Sequence, residues 1–120
     1  PHIVNVKGSS ELTFQNVLLG EVWFCSGQSN MEMPMKGFAG QPIIGSNEAV
    51  LQSRNDQIRF FHTPKTPSLL PVTDVKSTWK KAEPANTSEF SAAAYFFAKK
   101  VQSVLGVPVG IIQSSWGAST

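Results

Sequence analysis

The sequence has one cysteine, little net charge and no long apolar run, and each of these excludes a class of protein. Cys25 is the single cysteine among 120 residues, so an internal disulfide framework and a cysteine-based zinc cage are excluded. A net charge of +2 is too small for the electrostatic footprint of nucleic-acid binding. No apolar stretch approaches the roughly 20 residues that span a bilayer. The length and the hydrophobic share of 41% predict one small globular domain, and the low charge and short apolar runs predict neither a nucleic-acid nor a membrane partner.

Apolar runs predict a hairpin followed by three buried strands. Residues 1–19 contain two short β-type stretches around a Gly-Ser-Ser turn, which predicts a β-hairpin. Residues 22–25 and 107–112 are continuously apolar, as expected of strands buried on both faces of a parallel sheet. Residues 58–61 form a third, weaker strand. Proline and glycine mark residues 34–45 and 63–86 as long irregular connections.

The clearest helical pattern covers residues 87–105, where apolar residues recur at helical spacing. Asn86 and Glu89 resemble a capping box at its start, and Gly106 suits a left-handed cap at its end. A short helix over residues 46–53 is more weakly indicated. A helix that leads directly into a strand is typical of the α/β class, so an α/β fold with a parallel sheet is predicted.

A candidate nucleophile follows the first buried strand. Ser29 lies in the stretch Gly-Gln-Ser-Asn directly after that strand, at the sheet edge where α/β proteins gather their sites. A serine on such a turn, with backbone N–H groups around its oxygen, has the features of an activated hydroxyl. The same four residues are also good composition for an ordinary turn. The residues alone therefore leave both interpretations open.

Three blocks resemble one enzyme family in the correct order. They are residues 19–34 (LGEVWFCSGQSNMEMP), 90–98 (FSAAAYFFA) and 106–117 (GVPVGIIQSSWG). Together they resemble the sialate O-acetylesterases, the carbohydrate-esterase branch of the SGNH hydrolases. The resemblance implies an SGNH-hydrolase (flavodoxin-like) fold, a three-layer parallel sheet with flanking helices. It implies a serine esterase that removes O-acetyl groups from sialic acid or another acetylated carbohydrate, without a metal or cofactor.

The resemblance also implies roles for individual residues. Ser29 matches the catalytic serine, and its own backbone N–H and that of Gly117 match two oxyanion donors. The family usually has a second glycine where this chain has Ala118. Residues beside these positions are expected to contact the substrate: Gln28, Asn30, Met31 and Trp116. Met31 and Trp116 are equally compatible with simple packing.

The rest of the family's catalytic machinery is not found in these 120 residues. The family supplies a third oxyanion donor from a later Asn and its general base from an Asp-x-x-His block, and neither His2 nor His62 lies in such a block. We therefore expect residues 1–18 to end an accessory β-region and residues 19–120 to begin a truncated esterase domain. The catalytic Asp and His are expected beyond Thr120, so the isolated chain is expected to be inactive. The family resemblance suggests a secreted, periplasmic or lysosomal location.

Two other interpretations compete with the esterase. The first is a non-catalytic carbohydrate-binding or structural module that keeps the fold without the base. The second, weaker one is an enzyme that uses Cys25, although this residue lies inside an apolar run and is expected to be core. Glu32 fits equally a partner of the catalytic residues and a solvated carboxylate.

Overall fold

The secondary structure alternates between strands and helices after an initial hairpin. A computed structural model describes residues 1–117. Its elements are β1 (His2–Lys7), β2 (Glu11–Val17), β3 (Glu21–Gly27), α1 (Ser29–Glu32), α2 (Ser46–Leu51), β4 (Asn55–His62), β5 (Lys80–Ala82), α3 (Pro84–Glu89), α4 (Ala92–Leu105) and β6 (Val109–Ser115). None of the helices in this range is long and apolar enough to cross a membrane.

The strands form two sheets. β1 and β2 pair as the predicted antiparallel hairpin, and the other strands form a sheet in the order β3-β6-β4-β5. β6 runs parallel to both β3 and β4, whereas β5 pairs with β4 antiparallel. The predicted α/β class is confirmed, as a mixed, mostly parallel sheet flanked by helices and preceded by a hairpin. The short strand β5 lies inside the connection that was predicted to be irregular. It is not predicted because a run of three residues is too short to show a periodic pattern.

The hydrophobic core lies between one face of the sheet and α4. Ile58 and Phe60 of β4 and Val109 and Ile111 of β6 are almost completely buried on this face. Phe60 stacks on Phe90 with 4.1 Å between ring centroids. Stacked aromatic pairs add stability beyond that of their buried apolar area. This pair therefore holds the start of α4 against the middle of the sheet.

The opposite face of the sheet is much more exposed. Val22 and Phe24 of β3 point to this side and keep 61% and 65% of their surface accessible. β3 is the edge strand of the sheet in residues 1–117, so the prediction that it is buried on both faces is wrong for this part of the chain. Its other face does pack, since the Trp23 ring meets Phe97 of α4 edge-on at 5.1 Å.

The long predicted helix is two helices, α3 and α4, separated by the two non-helical residues Phe90 and Ser91. Phe90 has φ −91° and ψ 156°, and the side chain of Ser91 accepts a hydrogen bond from the Ala94 N–H as the cap of α4. The capping box is wrong, because the Asn86 side chain instead donates to the carbonyl of Lys81. The predicted left-handed cap at Gly106 is confirmed, with φ 66°.

The remaining three predicted elements are present, and one of them ends later than predicted. The weakly indicated helix over residues 46–53 is present as α2, and the third strand is present as β4. β6 continues past residue 112 as far as Ser115. The polar residues at this end of the strand can be buried because their side chains form hydrogen bonds with each other. The Gln113 amide donates to the Ser115 hydroxyl at 2.8 Å.

Candidate active site

The candidate site lies where β3 and β6 end side by side. The two strands are parallel and in register, with Gly27 opposite Ser115. The Trp116 N–H donates to the Gly27 carbonyl at 3.1 Å and extends the pairing by one residue. The residues that follow both strands therefore meet at the carboxyl edge of the sheet, where open α/β sheets place their ligand sites.

A glycine-dependent turn presents Ser29 at this edge. Gly27 has φ 148°, and a Cβ there would lie 3.2 Å from the Cβ of Met31. A side chain at position 27 is therefore disfavoured both by backbone conformation and by contact. Ser29 begins the single helical turn α1, which is closed by a 2.9 Å hydrogen bond from the Glu32 N–H to the Gln28 carbonyl.

Ser29 and Gly117 face each other across the end of the sheet. A Cβ built on Gly117 would lie 3.5 Å from the Ser29 hydroxyl oxygen. The missing side chain lets the Ser29 hydroxyl and the Glu32 carboxylate both come close to the Gly117 backbone. The first N–H groups of a helix have no acceptor within that helix, so α1 itself does not use the Ser29 N–H. Such an arrangement can hold the negative oxygen that develops when a hydroxyl attacks an ester.

A carboxylate also lies against Gly117. The Gly117 N–H donates to Oε2 of Glu32, and the Lys65 ammonium forms an ion pair with Oε1 of the same side chain. The Glu32 side chain is 19% exposed. The interpretation of Glu32 as a solvated carboxylate is therefore wrong, since both carboxylate oxygens have protein partners.

The buried Gln113 side chain connects the elements around the site, and it is not among the site residues predicted from the sequence. Gln113 accepts a hydrogen bond from the Ser91 N–H at 3.0 Å. Its amide nitrogen donates to Ser115 and lies 3.5 Å from the carbonyl oxygen of Met31. One side chain thus connects α1, the start of α4 and the end of β6. The available signal was an amide residue at the end of an apolar strand, where burial requires hydrogen-bond partners.

The residues expected to bind substrate have different surroundings. Gln28 and Asn30 flank Ser29 and are exposed, and Trp116 keeps 43% of its surface accessible. Met31 is half-buried against the core, with its sulfur 3.4 Å from the Ser91 hydroxyl. Substrate contact by these four residues stays a prediction. Ala118, the position of the family's second glycine, lies outside the described residues.

Neither histidine contacts Ser29 in the part of the chain that the structure describes. His2 belongs to the separate hairpin. His62 ends β4, and its ring meets Phe90 edge-on at 6.4 Å. The pKa of His62 lies below its ordinary value of 6.5, first because of desolvation and second because of the positive charge of Lys80. A neutral His62 is therefore favoured near neutral pH.

The lowered pKa of His62 has a measurable consequence. The unfolded chain binds more protons than the folded one below about pH 6.5, so this residue lowers the free energy of unfolding as the pH falls through that value. Its NMR titration midpoint is expected below 6.5, and Lys80→Gln is expected to raise it by removing the nearby charge. A midpoint at or above 6.5 in the unmodified protein would contradict this assignment of causes.

Cys25 has the properties of a packing residue. It lies half-buried against the core cluster, and burial raises the pKa of its thiol. A raised pKa disfavours the thiolate that a cysteine enzyme needs. No group of three or more His, Cys, Asp and Glu side chains comes together within residues 1–117 in a way that suits a metal ion.

Comparison with known proteins points to one kind of enzyme. The chain is 32% identical over 116 residues to the sialate O-acetylesterase of Mus musculus and 30% identical over the same length to that of Homo sapiens. Each match covers 90% of this chain. The chain is a homologue of the sialate O-acetylesterases. No protein-family model matches it.

A solved structure agrees with this homology. The crystal structure of a carbohydrate acetylesterase from Xanthomonas citri matches all of this chain with a TM-score of 0.88 and 39% sequence identity. The match covers 27% of that protein, and the chain spans 21% of the length of the sialate O-acetylesterases. The homology therefore concerns the segment that contains the candidate site and not the whole length of these enzymes.

Proposed function

We propose that this chain carries the nucleophile of a serine esterase that removes O-acetyl groups from sialic acid or another acetylated carbohydrate. The observation that carries the proposal is the juxtaposition of Ser29 and Gly117 at the carboxyl edge of the sheet. Homology to sialate O-acetylesterases and to a carbohydrate acetylesterase supports the choice of an acetylated sugar as substrate.

In the proposed reaction, the Ser29 hydroxyl oxygen attacks the acetyl carbonyl carbon while a base accepts its proton. The carbonyl oxygen becomes an oxyanion and is stabilised by the N–H groups of Ser29 and Gly117. When the bond between the acetyl carbon and the sugar oxygen breaks, the sugar oxygen accepts the proton from the base and the sugar departs. The acetyl group stays on the Ser29 oxygen. Water then attacks this acetyl-serine, and acetate is released with the serine hydroxyl restored.

A base outside residues 1–120 completes the proposed site. A serine hydroxyl is a poor nucleophile without a neighbouring base, and neither His2 nor His62 contacts Ser29. We propose that the catalytic His and Asp, together with a third oxyanion donor from an Asn, come from the remainder of the catalytic domain, in the same gene product or in another chain. The relatives have room for these residues, since the matched segment is 21% of their length.

Acetate release tests this function directly. The full-length protein is incubated with O-acetylated sialic acid and with acetylated xylo-oligosaccharides, and acetate is quantified. A sugar that carries only an N-acetyl group serves as the control, because an esterase leaves that amide intact. Acetate from at least one O-acetylated sugar is expected. Sugar binding without acetate release would instead favour the non-catalytic carbohydrate-binding module.

A further inference from the structure

The Glu32 carboxylate shares the space in which the ester would react. Ser29 and Glu32 are three residues apart on α1, so both side chains lie on the same side of this helical turn. Both approach Gly117: a Cβ at position 117 would contact the Glu32 carboxylate and would lie 3.5 Å from the serine oxygen. Within residues 1–117, Glu32 is thus an acidic group beside the atoms that react in the proposed function.

The hydrogen bond from Gly117 to Glu32 competes with the proposed oxyanion. In the structure the Gly117 N–H donates to Glu32, and the same N–H is needed for the substrate carbonyl oxygen. A carboxylate that stayed in this place would also repel the negative charge that develops on that oxygen. The site therefore requires an alternative partner for Glu32 during the reaction.

Lys65 provides that partner. Lys65 belongs to the connection after β4, and its ammonium pairs with Oε1 of Glu32, whereas Gly117 contacts Oε2. A carboxylate that is mostly shielded from water becomes less stable when it gives up a partner without compensation. The ion pair with Lys65 keeps Glu32 compensated while the Gly117 N–H is released.

We propose that Glu32 is a positioning residue that holds the Gly117 N–H in the empty site and yields it to the ester oxygen, while Lys65 retains the released carboxylate. The proposal rests on the proposed esterase function. It assigns Lys65 the role of weakening the hold of Glu32 on Gly117. Lys65 and Glu32 therefore act on catalysis in opposite directions.

A double-mutant cycle in the full-length enzyme tests this opposition. Lys65→Ala leaves Glu32 with Gly117 as its partner, so kcat is expected to fall about tenfold, as for the strengthening of one charged hydrogen bond. Glu32→Gln removes the charge and leaves a weaker amide acceptor, which gives up the Gly117 N–H more easily, so kcat is expected to rise about twofold. In the Glu32→Gln background, Lys65→Ala is expected to change kcat by less than about twofold.

Matched variants separate this effect from general changes in charge. Lys76→Ala removes an exposed lysine from the same long connection. Glu89→Gln breaks the exposed ion pair that Glu89 forms with Lys36 at 2.7 Å. Both controls are expected to leave kcat within about twofold, because exposed pairs contribute little.

The amide signal of Gly117 gives a readout that does not depend on activity. In a ¹⁵N–¹H NMR spectrum, the Gly117 proton is expected to move upfield in Glu32→Gln and downfield in Lys65→Ala, as its hydrogen bond weakens or strengthens. The two control variants are expected to leave it in place.

The outcomes distinguish this proposal from the proposed function. If Glu32→Gln lowered kcat as much as Lys65→Ala does, the ion pair would have only a structural role and the proposal would be overturned. The proposal would also be overturned if Lys65→Ala lowered kcat equally in the unmodified enzyme and in the Glu32→Gln variant. Absence of acetate release from the unmodified enzyme would overturn the esterase function instead. In that case the Gly117 signal still decides the role of Glu32, because an unmoved signal in both variants overturns it.

Discussion

Replacing Ser29 by alanine is expected to lower the kcat for acetyl ester hydrolysis by about 10⁴-fold or more, as removal of a serine nucleophile does in other hydrolases. The change removes the oxygen that forms the acyl intermediate and leaves the backbone donors of the turn in place. Substrate binding is therefore expected to change little. Steady-state acetate release by the full-length protein, with KM determined separately, measures both effects.

Ser26→Ala is the matched control for this variant. Ser26 is an exposed serine three residues earlier, on β3, and it lies before the turn that presents Ser29. Its replacement is expected to leave kcat within about twofold, because surface changes away from the reacting atoms have small effects. Near-normal acetate release by Ser29→Ala would contradict the assignment of the nucleophile.

Replacing Gly117 by alanine is expected to lower kcat by about 10²-fold or more, the range found when one oxyanion donor is lost. The added methyl group would collide with the Glu32 carboxylate and would lie 3.5 Å from the Ser29 oxygen. It would thus crowd the space that we propose for the acetyl group and the oxyanion. The kcat for an acetylated sugar, measured beside the melting temperature, separates this effect from a loss of stability.

Gly8→Ala provides the control for Gly117→Ala. The nearest atom to a Cβ at Gly8 is the Ser10 carbonyl oxygen at 4.0 Å, so a methyl group fits there without collision. This variant is expected to keep normal turnover. If Gly117→Ala retained the activity of Gly8→Ala, the proposed role of Gly117 in the acyl site would be contradicted.

Local signals in the sequence predict much of the fold. The Gly-Ser-Ser turn between two β-type runs predicts the hairpin, and Gly106 predicts the end of α4 because few other residues adopt its positive φ. The turn containing Ser29 is predicted for a similar reason, since Gly27 supplies a conformation that other residues avoid. These features depend on residues close together in the chain.

Features that depend on distant contacts are predicted less well. The interruption at Phe90 is invisible in the apolar periodicity, which continues through it, and is stabilised by stacking on Phe60, thirty positions earlier. The apolar run of β3 indicates burial on both faces, yet residues 1–117 place β3 at an edge of the sheet. Periodicity reports which side chains are apolar, not which partners the strand has.

The same distinction applies to the candidate site. The family resemblance of two sequence blocks predicts Ser29 and Gly117 as site residues, and the parallel pairing of β3 with β6 places them close together. The contact of Glu32 with Lys65 joins residues 33 positions apart through an irregular connection, where no periodic signal exists. Gln113 was missed because a single amide in an apolar strand shows its importance only when its partners are known.

Trapping the acetyl-enzyme tests the central claim most directly. The full-length protein is mixed with an O-acetylated sugar, quenched with acid during turnover, digested and analysed by peptide mass spectrometry. Transfer of one acetyl group to Ser29 is the predicted result, together with its absence in the Ser29→Ala variant. Acetate release with acetylation at another residue, or turnover without any acetyl group on Ser29, would contradict the claim that Ser29 is the nucleophile.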